Sequence, residues 1–116
     1  MELPAGTSSL DPGWIETAET LPITVWTARP DGSIEFVNRR WREMTGVSAQ
    51  IILTEGWASV VHPDDLPRTV SAYQESLETG KPLRVDLRIH ASDGSYRWVR
   101  NNADPLRDET GEITRW

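Results

Sequence analysis

The chain has 116 residues, 37% of them hydrophobic, with 12 Lys+Arg against 18 Asp+Glu for a net charge of -6. That length allows one domain and leaves little room for two, and six Trp give a single core large rings to bury. The lack of cysteine excludes a disulfide framework, a thiolate metal site and a thiol nucleophile. No apolar run approaches the ~18 residues of a membrane span, and the acidic balance argues against a nucleic-acid partner.

Residues 1–28 carry four acids (Glu2, Asp11, Glu16, Glu19) and no base, without the order of a signal peptide. Residues 1–10, with Pro4, Gly6 and Thr7 to Ser9, read as a loose tail. Asp11-Pro12 is a cap-like start, and Trp14, Ile15, Ala18 and Leu21 then space out as a short amphipathic leader helix. Residues 23–28 and 33–37 are rich in β-branched and aromatic types, and Pro30-Asp31-Gly32 between them is hairpin chemistry. Asn38 caps a short helix with Trp41 and Met44 on one face and Gly46 at its end. Ser48 caps a second turn through Ile51–Leu53. The clearest helix follows Asp64 or Asp65 as cap, carries Pro67 in its first turn and ends at Gly80. Leu66, Val70, Tyr73 and Leu77 form its apolar stripe.

The last third reads as strand. Residues 83–91 alternate apolar and polar, Asp93-Gly94 turns the chain into 96–103, and a third strand spans 112–116. A two-residue turn would pair Ile89 with Trp98 and Leu87 with Arg100. A three-residue turn with left-handed Gly94 would pair Ile89 with Val99 and Leu87 with Asn101. Burying an unpaired guanidinium costs far more than burying an amide, so the second register is expected. The inner face is then Val85, Leu87, Ile89, Val99, Asn101 and Ala103. Trp98 falls on the outer face beside His90, where the leader helix or a second subunit would cover it.

Three blocks of this pattern resemble the third common sequence class of PAS domains: WTARPDGSIEFVNRRWREMTG at 26–46, GWASVVHPDD at 56–65, and DGSYRWVRNNADPLRDETGEITRW at 93–116. The last is similar to the PAC motif. The resemblance implies an α+β PAS fold over 21–116, with a five-stranded antiparallel sheet, short helices and one longer helix packed on one face. Residues 1–20 stand outside it as tail and leader helix. It also places the final strand beside the first, with several more residues than the five from Glu112 to Trp116, so a truncated strand is expected.

Function follows from few residues. His62, Asp64 and Asp65 suggest a metal or acid-base site, but a helix cap with a neighbouring imidazole bond explains the same residue types. Ser59, His62 and Asp64 lack the strand-to-helix turn of a nucleophilic serine. No catalytic and no metal set emerges. His90 alternates outward, away from any haem in the core. Light-sensing relatives form a cysteinyl adduct with flavin or a cinnamic-acid chromophore, which this chain excludes; non-covalent flavin binding keeps a weak case. The expected ligand pocket joins Asn101, Val85, Leu87, Ile89 and Val99 of the inner face with Trp41, Trp57 and Tyr73. Trp14, Ile15, Leu21 and Trp98 are the expected dimer or leader-helix contacts. The resemblance thus implies a cytoplasmic sensory module of a larger signalling protein, such as a sensor histidine kinase or a cyclic-dinucleotide enzyme. It would be a homodimer with flanking signalling domains and no catalysis of its own. The alternative is a ligand-free dimerisation and relay module.

Overall fold

The computed structural model describes residues 11–116; the tail expected at 1–10 lies outside them. Asp11 caps helix α1 (Pro12–Thr20) by accepting the Trp14 N–H at 3.0 Å. α1 packs on helix α2 (Arg39–Thr45) and on strand β2 (Ile34–Val37), where the Trp14 ring meets Phe36 edge-on at 5.4 Å. Glu19 clamps Arg42 through both carboxylate oxygens, at 3.1 and 2.7 Å. Asn38 does more than cap α2. Its Oδ1 accepts from Trp41 N and Val25 N, each at 3.0 Å, and its Nδ2 donates to the carbonyls of Ala18 and Ile23, each at 2.9 Å. One wholly buried amide thereby ties α1, α2 and the approach to strand β1 (Trp26–Ala28) together.

β1 and β2 form an antiparallel hairpin with a bulge that leaves Glu35 as the extra residue. Its turn needs Gly32 at φ 92°, and a Cβ there would lie 2.6 Å from Leu77 Cδ1. Helix α3 (Ala49–Glu55) starts at the Ser48 cap. A 3-10 turn (Ala58–Val60) leads into helix α4 (Leu66–Thr79), with Pro67 in its first turn and left-handed Gly80 at its end, as the sequence predicts. Of its expected stripe, Leu66, Tyr73 and Leu77 pack half-buried against the core, while Val70 is half-buried outside that cluster; Thr69 and Ser76 are buried more deeply.

Strand β3 (Leu83–His90) pairs antiparallel with strand β4 (Tyr96–Ala103). The loop has three residues and Gly94 is left-handed at φ 88°, but the expected partners are wrong by two places along β4. Leu87 faces Val99, Val85 faces Asn101, and Ile89 faces Arg97. The Asp93 carboxylate is the cause. It accepts the N–H and hydroxyl of Ser95 at 2.9 and 2.6 Å, so the loop is Ser92–Gly94 and the closing pair is Ala91–Ser95. A shift of two preserves faces, and Val85, Leu87 and Ile89 remain buried.

Pro105 interrupts the strand after β4, having no N–H for a ladder. The chain resumes as strand β5 (Leu106–Arg107), which pairs with strand β6 (Ile113–Arg115). The last strand reaches the first through Trp116, which exchanges two backbone hydrogen bonds with Ala28 at 3.0 and 2.8 Å. Across that junction Arg115 ion-pairs with the buried Glu35, which also accepts from Thr27. The expected five-stranded sheet thus appears as three antiparallel hairpins, with β6 extended by Trp116 joining the first to the third. α4 packs on β3 and α3 on β2, while α1 meets Phe36 of β2.

Candidate functional site

The core between α4 and the strands is not fully filled. A cavity of about 50 Å³ is lined by Trp26, Ile34, Trp57, Val61, Thr69, Tyr73, Leu87, Ile89 and Asn101. A second, of about 70 Å³, shares Trp26, Leu87, Ile89 and Asn101 and adds Thr24, Trp41, Met44, Val99 and Arg100. Of the eight pocket residues read from sequence, Asn101, Leu87, Ile89, Trp57 and Tyr73 line the first cavity and Trp41 and Val99 the second. Val85 lines neither; it is packed in the core opposite Asn101. Trp26, Ile34, Val61 and Thr69 of the first cavity and Thr24, Met44 and Arg100 of the second were not among the eight. Trp26 carries a signal that β-propensity hides: as a β1 residue its ring can lie on the inner face, where only burial reveals it.

The polar groups of the cavity are few and mostly committed. The Trp26 indole N–H donates to Asn101 Oδ1 at 3.0 Å. Indole can only donate, so this contact fixes the orientation of the amide and leaves its NH2 as the group available to a guest. The Tyr73 hydroxyl donates to the Gly32 carbonyl at 2.6 Å. Burial, with the Asp31 charge adding to it, pushes the phenol up to about 12, so it stays a neutral structural donor. Tyr73 also packs its ring against Trp26 at 6.0 Å and Trp57 at 5.5 Å. Thr69 spends its hydroxyl hydrogen on the Asp65 carbonyl at 2.8 Å. The site can therefore hold a small, mainly apolar group with one acceptor atom against Asn101. A flavin ring system does not fit cavities of 50 and 70 Å³, since drug-sized sites run to ~300–1,000 Å³.

The His62, Asp64 and Asp65 trio disperses. His62 Nδ1 accepts the Asp64 N–H at 3.1 Å, in the manner of a local turn. Asp65 begins α4 but makes no side-chain cap bond, contrary to expectation. Its buried carboxylate reaches across to β3 instead, accepting from Arg88 N (2.8 Å), Nε (2.9 Å) and a terminal guanidinium nitrogen (2.9 Å), with Arg68 at 3.2 Å. The Arg88 hydrogen bonds hold this carboxyl well below the usual carboxylate range.

The outer face of β3 and β4 is open. Trp98 is 65% exposed, with the Arg88 guanidinium 5.0 Å from its ring centroid. The register places it opposite Arg88, and His90 opposite Tyr96, rather than His90 and Trp98 side by side. His90 stands on this outer face as predicted, edge-on to the Tyr96 ring at 5.4 Å, while His62 lies 4.5 Å from the same ring. The leader helix does not cover Trp98. Trp14 covers Phe36 on the other half of the molecule, Ile15 is half-buried, and Leu21 is exposed at 38%.

A family model described as the PAS fold matches residues 34–116. The uncharacterized protein y4lL of Sinorhizobium fredii is 42% identical over 98 residues, which are 84% of this chain and 12% of that protein. The peroxide stress-activated histidine kinase mak1 of Schizosaccharomyces pombe is 33% identical over 96 residues, 82% of this chain and 6% of the kinase. The chain thus spans a small part of the length of either relative. Among solved structures, the N-terminal domain of a diguanylate cyclase with a PAS/PAC sensor from Marinobacter aquaeolei aligns at a TM-score of 0.66 and 25% identity, over 78% of this chain and 84% of that one. Helices stacked on antiparallel hairpins, and a family match over most of the sequence, lead to one assignment: the protein belongs to the PAS fold family.

Proposed function

We propose that this domain is the cytoplasmic sensory module of a larger signalling protein of the histidine-kinase or cyclic-dinucleotide class. It holds a small molecule in the core and passes the change on through rearrangement of a homodimer. The observation that carries this reading is the Trp26–Asn101 bond, which joins β1 to β4 inside the cavity walls. A guest that competes for Asn101 would alter the join between the two hairpins. A cavity of about 50 Å³ suits a guest of a few non-hydrogen atoms, since one water needs about 10–15 Å³ by the same measure. Relatives with histidine-kinase and diguanylate-cyclase output support the signalling context, and any such activity would lie in flanking domains.

The small cavity volume favours a second reading, a packed relay module with no ligand. Native mass spectrometry of gently purified protein separates the two. Under the sensory reading, a low-mass adduct is retained by the natural chain and lost from Asn101→Ala. If no adduct is found and Asn101→Ala costs only the ~1 kcal/mol of one hydrogen bond, the relay reading stands.

A further inference from the structure

Met44 supplies the only sulfur atom of residues 11–116, since the chain has no cysteine and its other methionine is Met1. It sits in the last turn of α2, half-buried against the core, and lines the cavity of about 70 Å³. Its backbone is pinned beside the β3–β4 loop, where the Ser92 N–H donates to the Met44 carbonyl at 2.8 Å. Asn101 lines the same cavity. The Trp26 indole fixes its Oδ1 at 3.0 Å, and no described residue accepts from the amide NH2. One compartment of the core thus holds an oxidisable sulfur, an unspent donor and free space, and lacks the acceptor that would join them.

We propose that Met44 is an oxidation site for a peroxide, and that Asn101 receives the resulting sulfoxide. The sulfur lone pair attacks one oxygen of hydrogen peroxide, the O–O bond breaks, and the other oxygen takes up the proton and leaves as water. Sulfur loses two electrons and the peroxide gains them, so thioether and peroxide become sulfoxide and water. Hydrogen peroxide has two non-hydrogen atoms, and one water needs only about 10–15 Å³ by the same measure, so the cavity admits the reagent and keeps the added oxygen. A sulfoxide is polar, and in an apolar core it disrupts packing. Here the Asn101 NH2 meets it. The amide then accepts from Trp26 on β1 and donates to oxidised Met44 on α2, which adds a link between α2 and β4 while the Trp26–Asn101 bond stays in place. The reaction needs no bound guest, so it stands apart from the sensory reading above. An oxidised Met44 takes the donor that a guest would use.

The test treats the natural chain and Met44→Leu with hydrogen peroxide under native conditions. Peptide mass spectrometry locates the added oxygen, and NMR follows the Asn101 side-chain NH2. Oxygen is expected on Met44 in a chain that stays folded. In the oxidised protein the Asn101 NH2 protons shift downfield and exchange at least about ten-fold more slowly, and Met44→Leu shows neither change. Asn101→Asp keeps an acceptor for Trp26 and removes the donor. Oxidising Met44 in that variant is expected to lower the melting temperature by several degrees more than in the natural chain. Should Asn101→Asp fail to fold, the NMR readout on the natural chain decides alone. A folded chain whose Met44 resists peroxide that oxidises the urea-unfolded chain overturns the proposal. So does an oxidised Met44 with the Asn101 NH2 unchanged, or an equal loss of melting temperature in both chains.

Discussion

At Asn38, two amide hydrogens and two oxygen lone pairs are all used, on four backbone groups from three segments. Asn38→Ala would strip partners from the N–H groups of Val25 and Trp41 and from two carbonyls, in a site with no water access. A loss of about 3 kcal/mol is expected, read from urea unfolding. Asn38→Asp keeps the two acceptor contacts and is expected to lose nearly as much, because a carboxylate cannot donate to Ala18 and Ile23. The Asp65 carboxylate sets an acid limit on stability. Its folded value lies below the ordinary carboxylate value of about 3.9, so its contribution is fully present above about pH 5. That contribution is lost as the pH falls below 4 toward the folded value. Asp65→Asn is expected to lower the melting temperature by several degrees at pH 7 and to narrow the gap to the natural chain on acidification; a gap independent of pH would refute the linkage. The cap role of Asn38 was legible in sequence, because an Asn before a helix is a local signal. Its grip on Ala18, twenty residues away, was not, and neither was the turn of Asp65 from its own helix to β3. Both are choices of partner that only the assembled chain offers.

Among the elements, those with local punctuation were legible: α1 from Asp11-Pro12, α4 from Pro67 and Gly80, and the first two hairpins from their Asp-Gly turns. The β3–β4 partners were misjudged because the reading weighed what each register buries and omitted the Asp93 side chain, which selects the loop. The faces survived because strand faces depend only on parity. On α4 the apolar stripe located Leu66, Tyr73 and Leu77 against the core, but hydrophobicity could not point to the small polar Thr69 and Ser76, which are buried more deeply. The inner strand faces gave only Leu87, Ile89, Val99 and Asn101 among the cavity-lining residues, and Trp26 was not read as one of them. The β1–β2 turn offers a direct check of this packing. Gly32 has positive φ and sits under Leu77 and Tyr73, so Gly32→Ala is expected to cost about 1–3 kcal/mol in thermal or urea unfolding. Gly94→Ala meets no atom within 4 Å and should lose only the left-handed backbone penalty, about 1 kcal/mol.

On the whole molecule, α1 and the open sheet divide the surface. α1 screens Phe36 and the β2 side, whereas Trp98 and Tyr96 remain 65% and 44% exposed on the β3–β4 side. Around them Arg100 pairs with Asp86, Arg84 with Asp104, and Arg97 with Asp93. If the proposed homodimer forms through this face, its two-fold axis would bring one Trp98 near the other. Its self-association would then weaken at least about ten-fold in Trp98→Glu, read by sedimentation over a concentration series, because the new carboxylate would meet its own copy. Trp14→Ala, on the screened side, should leave the association unchanged and lower stability instead. If Trp14→Ala alone dissociates the protein, the leader helix is the interface.

The fastening of β1 gives the fold a mechanical character. Asn38 anchors Ala18, Ile23 and Val25 at one end of the segment 18–28, and Trp116 is bonded to Ala28 at the other. Tension applied through α1 and tension applied through β6 are thus borne by one stretch of a few residues, loaded from opposite ends. Trp26 lies in the middle of that stretch and carries the bond to Asn101. A pull or twist at either terminus of the described chain would strain the same joint. In a force-clamp measurement, rupture from the two attachment points would then begin at a shared yield point, with Trp26 emission reporting it.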